Sequence, residues 1–211
     1  MKKSTLSFLL ALLFFAASGQ DRYTDAIRKG ITMMDSAHTA ASNLENANYF
    51  ERIANAEPNQ WLAQYYTALT LIYVAYDESK DAETRDVTYD KAMEFANKAD
   101  KLKPSNSDVY ALKGYITFMK MAVAPQARAM SMIPASNALI EQAIVLDPEN
   151  PRALLMKGQN LFYTPEAFGG GKTKAAELLK LASAKFDAEK ISGIEPSWGR
   201  RRCISLLEQS K

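Results

Sequence analysis

Apolar residues return every three or four positions along most of the chain, the spacing that gathers them on one side of an α-helix. In "KTKAAELLKLA", Ala175, Leu178, Leu179 and Ala182 make one such face, with the lysines off it. Runs of β-branched residues are few, and Ala, Leu, Lys, Glu and Met dominate. The pattern predicts helices near 21–38, 43–56, 59–78, 86–103, 107–123, 135–147, 151–163, 172–190 and 198–209. Three phrases punctuate it: "IANAEPNQW" at 53–61, "ADKLKPSNS" at 99–107 and "IVLDPENP" at 144–151. Each is an amphipathic helix end followed by proline, which cannot continue a helix.

The prolines at 58, 104, 148 and 196 lie 46, 44 and 48 residues apart, a period that indicates stacked helical units. Ten residues after the first three comes a very small residue: Ala68, Gly114 and Gly158. Four positions before each lies Gln64, Tyr110 or Leu154. A glycine within a helix costs about 1 kcal/mol against alanine. Its recurrence at one place implies another backbone passing too close for a side chain.

"DVYALKGYITF" at 108–118 and "RALLMKGQNLF" at 152–162 then read as first helices of a pair. "YDKAMEFANKADKLKP" at 89–104 and "ALIEQAIVLDP" at 138–148 read as second helices. Over roughly 20–196 the chain resembles the tetratricopeptide repeat (TPR) family. The resemblance implies an all-α, right-handed superhelix of about four hairpins, at about 23–58, 59–104, 105–148 and 149–196. A capping helix at 197–211, in "PSWGRRRCISLLEQ", would follow. The family's usual unit is about 34 residues. The longer units here place their extra residues in the turns "ESKDAETRD" and "VAPQARAMSMIP". The first unit carries Phe50 and Pro58 but lacks the small-residue marks.

In such an array the residues following the small one face a concave groove. The resemblance nominates Leu69, Tyr73, Tyr115, Met119, Gln159, Phe162 and Tyr163 as groove residues, with Ile72 and Phe118 beside them. Tyrosine, with a large ring and a polar tip, suits a recognition surface. The implied function is a non-enzymatic scaffold in the bacterial envelope that holds a peptide or helix of another protein. Two alternatives stand beside it: a periplasmic small-molecule-binding subunit associated with transport, and an envelope-assembly factor.

Charge and targeting refine this picture. Lys2 and Lys3 precede an unbroken apolar run from Phe8 to Ala17, and "ASG" at 17–19 offers a cleavage site. Residues 1–19 are thus expected to be a signal peptide and the protein to be periplasmic or secreted. The lone cysteine, Cys203, is far from that site, so no lipid anchor is expected, and no later segment reads as a membrane span. The chain has 26 Lys+Arg and 24 Asp+Glu, and removing Lys2 and Lys3 leaves 24 against 24. A neutral protein gives no reason to expect nucleic acid as a partner. The triplet Arg200–Arg202 reads as a solvated face.

"AFGGGKTKAAELL" at 167–179 looks at first like a phosphate loop. The spacing G-x-x-x-x-G-K-[ST] would need glycine where Glu166 stands, and the segment before it is helical. A sharp corner between two helices is expected instead. The single histidine, His38, and the single cysteine supply too few ligands for zinc. No catalytic, cofactor or metal residues are therefore assigned, and no enzyme is expected.

Overall fold

The computed structural model describes residues 20–210, so the expected signal peptide at 1–19 lies outside the described residues. Helices follow one another as α1 (20–36), α2 (Ala40–Ala56), α3 (Trp61–Ala75), α4 (Ala82–Leu102) and α5 (Ser107–Met121). They continue as α6 (Pro125–Leu146), α7 (Pro151–Tyr163), α8 (Lys172–Ala188) and α9 (Arg200–Glu208), with one 3₁₀ turn at Glu166–Phe168. No strand occurs among the described residues, and the fold is all-α.

The proline phrases work as paired stop and start signals. Pro104 and Pro148 lie in the turns, and Asn106 and Asn150 just beyond them cap the next helix. Asn106 Oδ1 accepts from the Val109 amide at 3.1 Å, and Asn150 Oδ1 accepts from Arg152 and Ala153. Pro151 then occupies the first helical turn, where a missing N–H costs nothing.

Consecutive helices pair as α3 with α4, α5 with α6, and α7 with α8, while α3, α5 and α7 also touch in series. The first helices thus form an inner layer and the second helices an outer one. The recurring glycines mark the contact within each pair. A Cβ on Gly114 would sit 2.6 Å from Ile140 of α6, and one on Gly158 would sit 2.9 Å from Leu179 of α8. The occupying atoms are mainly these side chains; of the partner backbone, the Ser136 carbonyl is nearest to Gly114, at 3.3 Å. Gly30 does the same against Phe50, at 2.4 Å, so the first pair does have its small residue, which the sequence register missed.

Two expectations are corrected. The extra residues expected in turns are mostly wound into helix: α4 starts at Ala82, and α6 starts at Pro125 and runs through Pro134. Arg128 donates to both carboxylate oxygens of Asp86, at 2.6 and 2.5 Å, and to the Lys120 carbonyl, tying these added turns together. Helix α6 is also long and apolar enough, by composition alone, to cross a membrane, contrary to the expectation of no such segment. Its buried residues Ser136, Ile140 and Ala143 nevertheless seat it on its neighbours, with Ser136 Oγ donating to the Gly114 carbonyl.

A large core runs from Tyr23 through α5, and a smaller one joins α6 to α9 through Leu155, Leu179, Phe186 and Leu206. Tyr115 and Trp198 pack against both.

Candidate functional site

After α8 the chain leaves the stack as an extended connector, 189–199, before α9 folds back onto α7 and α8. Three sets of polar contacts fasten this connector. At its start, Arg152 of α7, itself buried, binds Asp108 and Glu189, each at 2.6 Å. Burial opposes the guanidinium charge, but the two carboxylates outweigh it and its pKa is raised. Midway, the Tyr66 hydroxyl of α3 lies 3.1 and 3.0 Å from the Ile194 and Glu195 carbonyls, to which it donates. At its end, the Trp198 indole N–H donates to the Tyr65 hydroxyl at 2.8 Å. The Trp198 ring lies on Tyr115 of α5, with centroids 5.9 Å apart and planes at 18°.

The connector closes one side of a cavity of about 340 Å³. Tyr73 and Tyr76 from the end of α3, Tyr115 from α5 and Trp198 give it aromatic walls, and Met34 and Met156 add thioethers. Its polar edge is Asp35 at the end of α1 and the first turn of α9, Arg200 to Arg202. Three guanidiniums face Asp35 in the lining and Asp187 behind Arg200, which leaves this edge with one cation in excess. Burial pushes the Tyr115 phenol up to about 12, and pushes that of Tyr73 up as well, so both are neutral hydrogen-bonding groups at physiological pH. Such a lining can stack a flat aromatic molecule and attract negative charge.

The nominated groove residues divide. Tyr73 and Tyr115 come together in this cavity. Leu69 has no exposure and Met119 is buried in the core, because helix α3 is covered all round and α5 nearly so. Gln159 is buried too, but its carboxamide oxygen accepts from Arg202 Nε at 3.0 Å. Phe162 and the half-exposed Tyr163 line a second hollow of about 320 Å³ at the α7–α8 corner. Trp198, Tyr76 and the arginine triplet were not nominated. The signal for Trp198 and the arginines was present in "SWGRRR", where an aromatic residue lies beside three cations, while Tyr76 carries no comparable mark.

The three glycine amides of the corner are already bonded. Gly169, Gly170 and Gly171 N–H donate to the Glu166, Pro165 and Leu161 carbonyls. Gly169 and Gly171 have φ of +87° and +115°, and a Cβ on Gly170 would lie 2.0 Å from the Thr164 carbonyl oxygen.

No protein-family model matches the chain, and no curated protein matches it. Among solved structures it is similar to the HusA haemophore from Porphyromonas gingivalis. The two share 29% sequence identity over 90% of this chain and 92% of that one, with a TM-score of 0.80.

Proposed function

We propose that the protein is an exported binding protein for a flat, aromatic, acid-bearing small molecule of the haem class. The observation that carries this reading is the cavity itself, with Tyr73, Tyr76, Tyr115 and Trp198 as walls and three arginines at the edge. Likeness to a haemophore over nearly the whole chain supports the ligand class. It favours the small-molecule alternative over the peptide-binding scaffold that the repeat resemblance implied. At about 340 Å³ the cavity is near the lower end of ligand pockets, roughly 300–1,000 Å³. It would take one edge of a macrocycle and leave the rest toward the arginines.

The residues fit the group. Phenol oxygens and thioether sulfurs are both ligand types for haem iron, and the lining supplies Tyr73, Tyr76, Tyr115, Met34 and Met156. Tyr73 or Tyr115 would first have to surrender a proton that burial holds firmly.

Titration of the purified protein with haem, read by haem absorbance and by tryptophan quenching, tests the reading. Saturable binding is expected, weakened at least about tenfold in a Tyr73→Ala/Tyr115→Ala variant that keeps its helical circular dichroism. No saturable binding by the unmodified protein, or unchanged affinity in the variant, would overturn it.

A further inference from the structure

The three arginines of α9 have different partners. Arg200 is paired with Asp187, and Arg201 reaches Asp35 at 3.9 Å. Arg202 has no carboxylate partner among the described residues, although it is partly buried and lines the cavity. Neutral acceptors hold it instead: its Nε donates to Gln159 Oε1 at 3.0 Å, and its Nη2 to the Tyr163 hydroxyl at 2.8 Å. The guanidinium also lies 5.7 Å from the Tyr163 ring centroid.

Gln159 adds a second, independent sign. It is 1% exposed, and its Nε2 is buried without a hydrogen-bond partner. Reversing the carboxamide would not help, because that would turn its NH₂ toward the arginine. Buried donors are seldom left unmatched, since they have given up water for nothing. Here an orphan amide donor sits on the same carboxamide that steadies a guanidinium lacking a counter-charge. Of the three side chains Arg202 is the one that lines the cavity, with its Nη1 unused, while Gln159 is buried beside it and Tyr163 lines the neighbouring hollow.

We propose that Arg202, Gln159 and Tyr163 form the subsite for a carboxylate of the bound ligand. Arg202 is its charged member, and Gln159 and Tyr163 position it. This rests on the reading of the cavity as an aromatic-ligand site and adds which chemical group of the ligand is recognised. A carboxylate arriving here gains a charge-assisted hydrogen bond from an arginine already held in place. An ester at the same position has no charge to offer. The subsite therefore selects free acid over ester, while the aromatic walls treat the two alike.

The experiment is a paired titration with haem and with its dimethyl ester, on the unmodified protein, on R202Q and Y163F, and on K180Q as a control at an exposed cation of α8 outside the cavity. The unmodified protein is expected to prefer the acid by about tenfold or more. R202Q should lose that preference by weakening the acid alone, Y163F should reduce it, and K180Q should retain it. Equal binding of acid and ester by the unmodified protein would overturn the subsite while leaving the cavity reading intact. So would an R202Q protein that keeps the preference, or that loses both ligands equally. Binding of neither ligand by the unmodified protein would overturn both.

Discussion

Helices α3 and α6 are both strongly apolar, yet the stack treats them in opposite ways. Thirteen of the fifteen residues of α3 are buried, against three of the twenty-two in α6, where Met130 is 85% exposed. The cause is position. Helix α3 has α2, α4 and α5 packed around it and the connector against its tyrosines, whereas α6 packs along α5 and α7 and meets α4 through the Arg128–Asp86 pair. Apolar content therefore marks α3 as the hub of the inner layer but only marks α6 as helical. A helix's neighbours decide what its side chains are worth.

The sharpest way to break this comparison is Tyr66→Ala. Loss of a fully buried ring should cost about 3–5 kcal/mol in urea unfolding, with further loss from releasing the connector. A cost below about 1 kcal/mol would remove α3 from the centre. Alkali provides a second test. Burial raises Tyr115 from its usual value near 10 to about 12 and raises Tyr65, Tyr66 and Tyr73 as well. A phenol with a higher pKa folded than unfolded contributes fully below pH 10 and loses that contribution as pH climbs toward the folded value. Stability should thus fall above pH 10, by on the order of 3 kcal/mol for Tyr115 alone. A flat profile from pH 9 to 12 would contradict it. Helix α6 contains no tyrosine and adds nothing to that fall.

Smaller effects probe the edge. Gly114→Leu must displace Ile140 and should lower stability by about 1–3 kcal/mol; an unchanged unfolding midpoint would deny the α5–α6 contact. Pro134→Ala restores a helix N–H at an exposed position and should raise stability by about 1 kcal/mol, read as a higher melting temperature. A decrease would mean that the helix uses its proline.

The regular part of this architecture was legible because it is periodic. Pro104, Pro148, Gly114 and Gly158 each meet a local need, a helix end or a close contact, and each need has a residue type that meets it. The added turns of α4 and α6 were not legible, since Pro134 is read locally as a stop and the Arg128–Asp86 pair that ties the turns together joins residues 42 apart. The site was harder still. Tyr73 and Tyr115 could be found by counting from the small residue, but the same count named Leu69 and Met119, whose burial depends on neighbouring helices. Arg202 looked like one of three equal surface charges. Its distinction lies in contacts with Gln159 and Tyr163, more than thirty-five residues away in sequence. No spacing rule reaches that far.

The connector has a consequence in time as well as in space. Its hydrogen bonds to α3 join residues 128 to 133 positions apart. Each pair of helices can form from its own stretch of chain, whereas Trp198 reaches Tyr115 only once the connector has folded back across the stack. The scaffold can therefore assemble pair by pair, while the cavity closes in a single later step of folding. Its shape is complete only when segments distant in sequence have met.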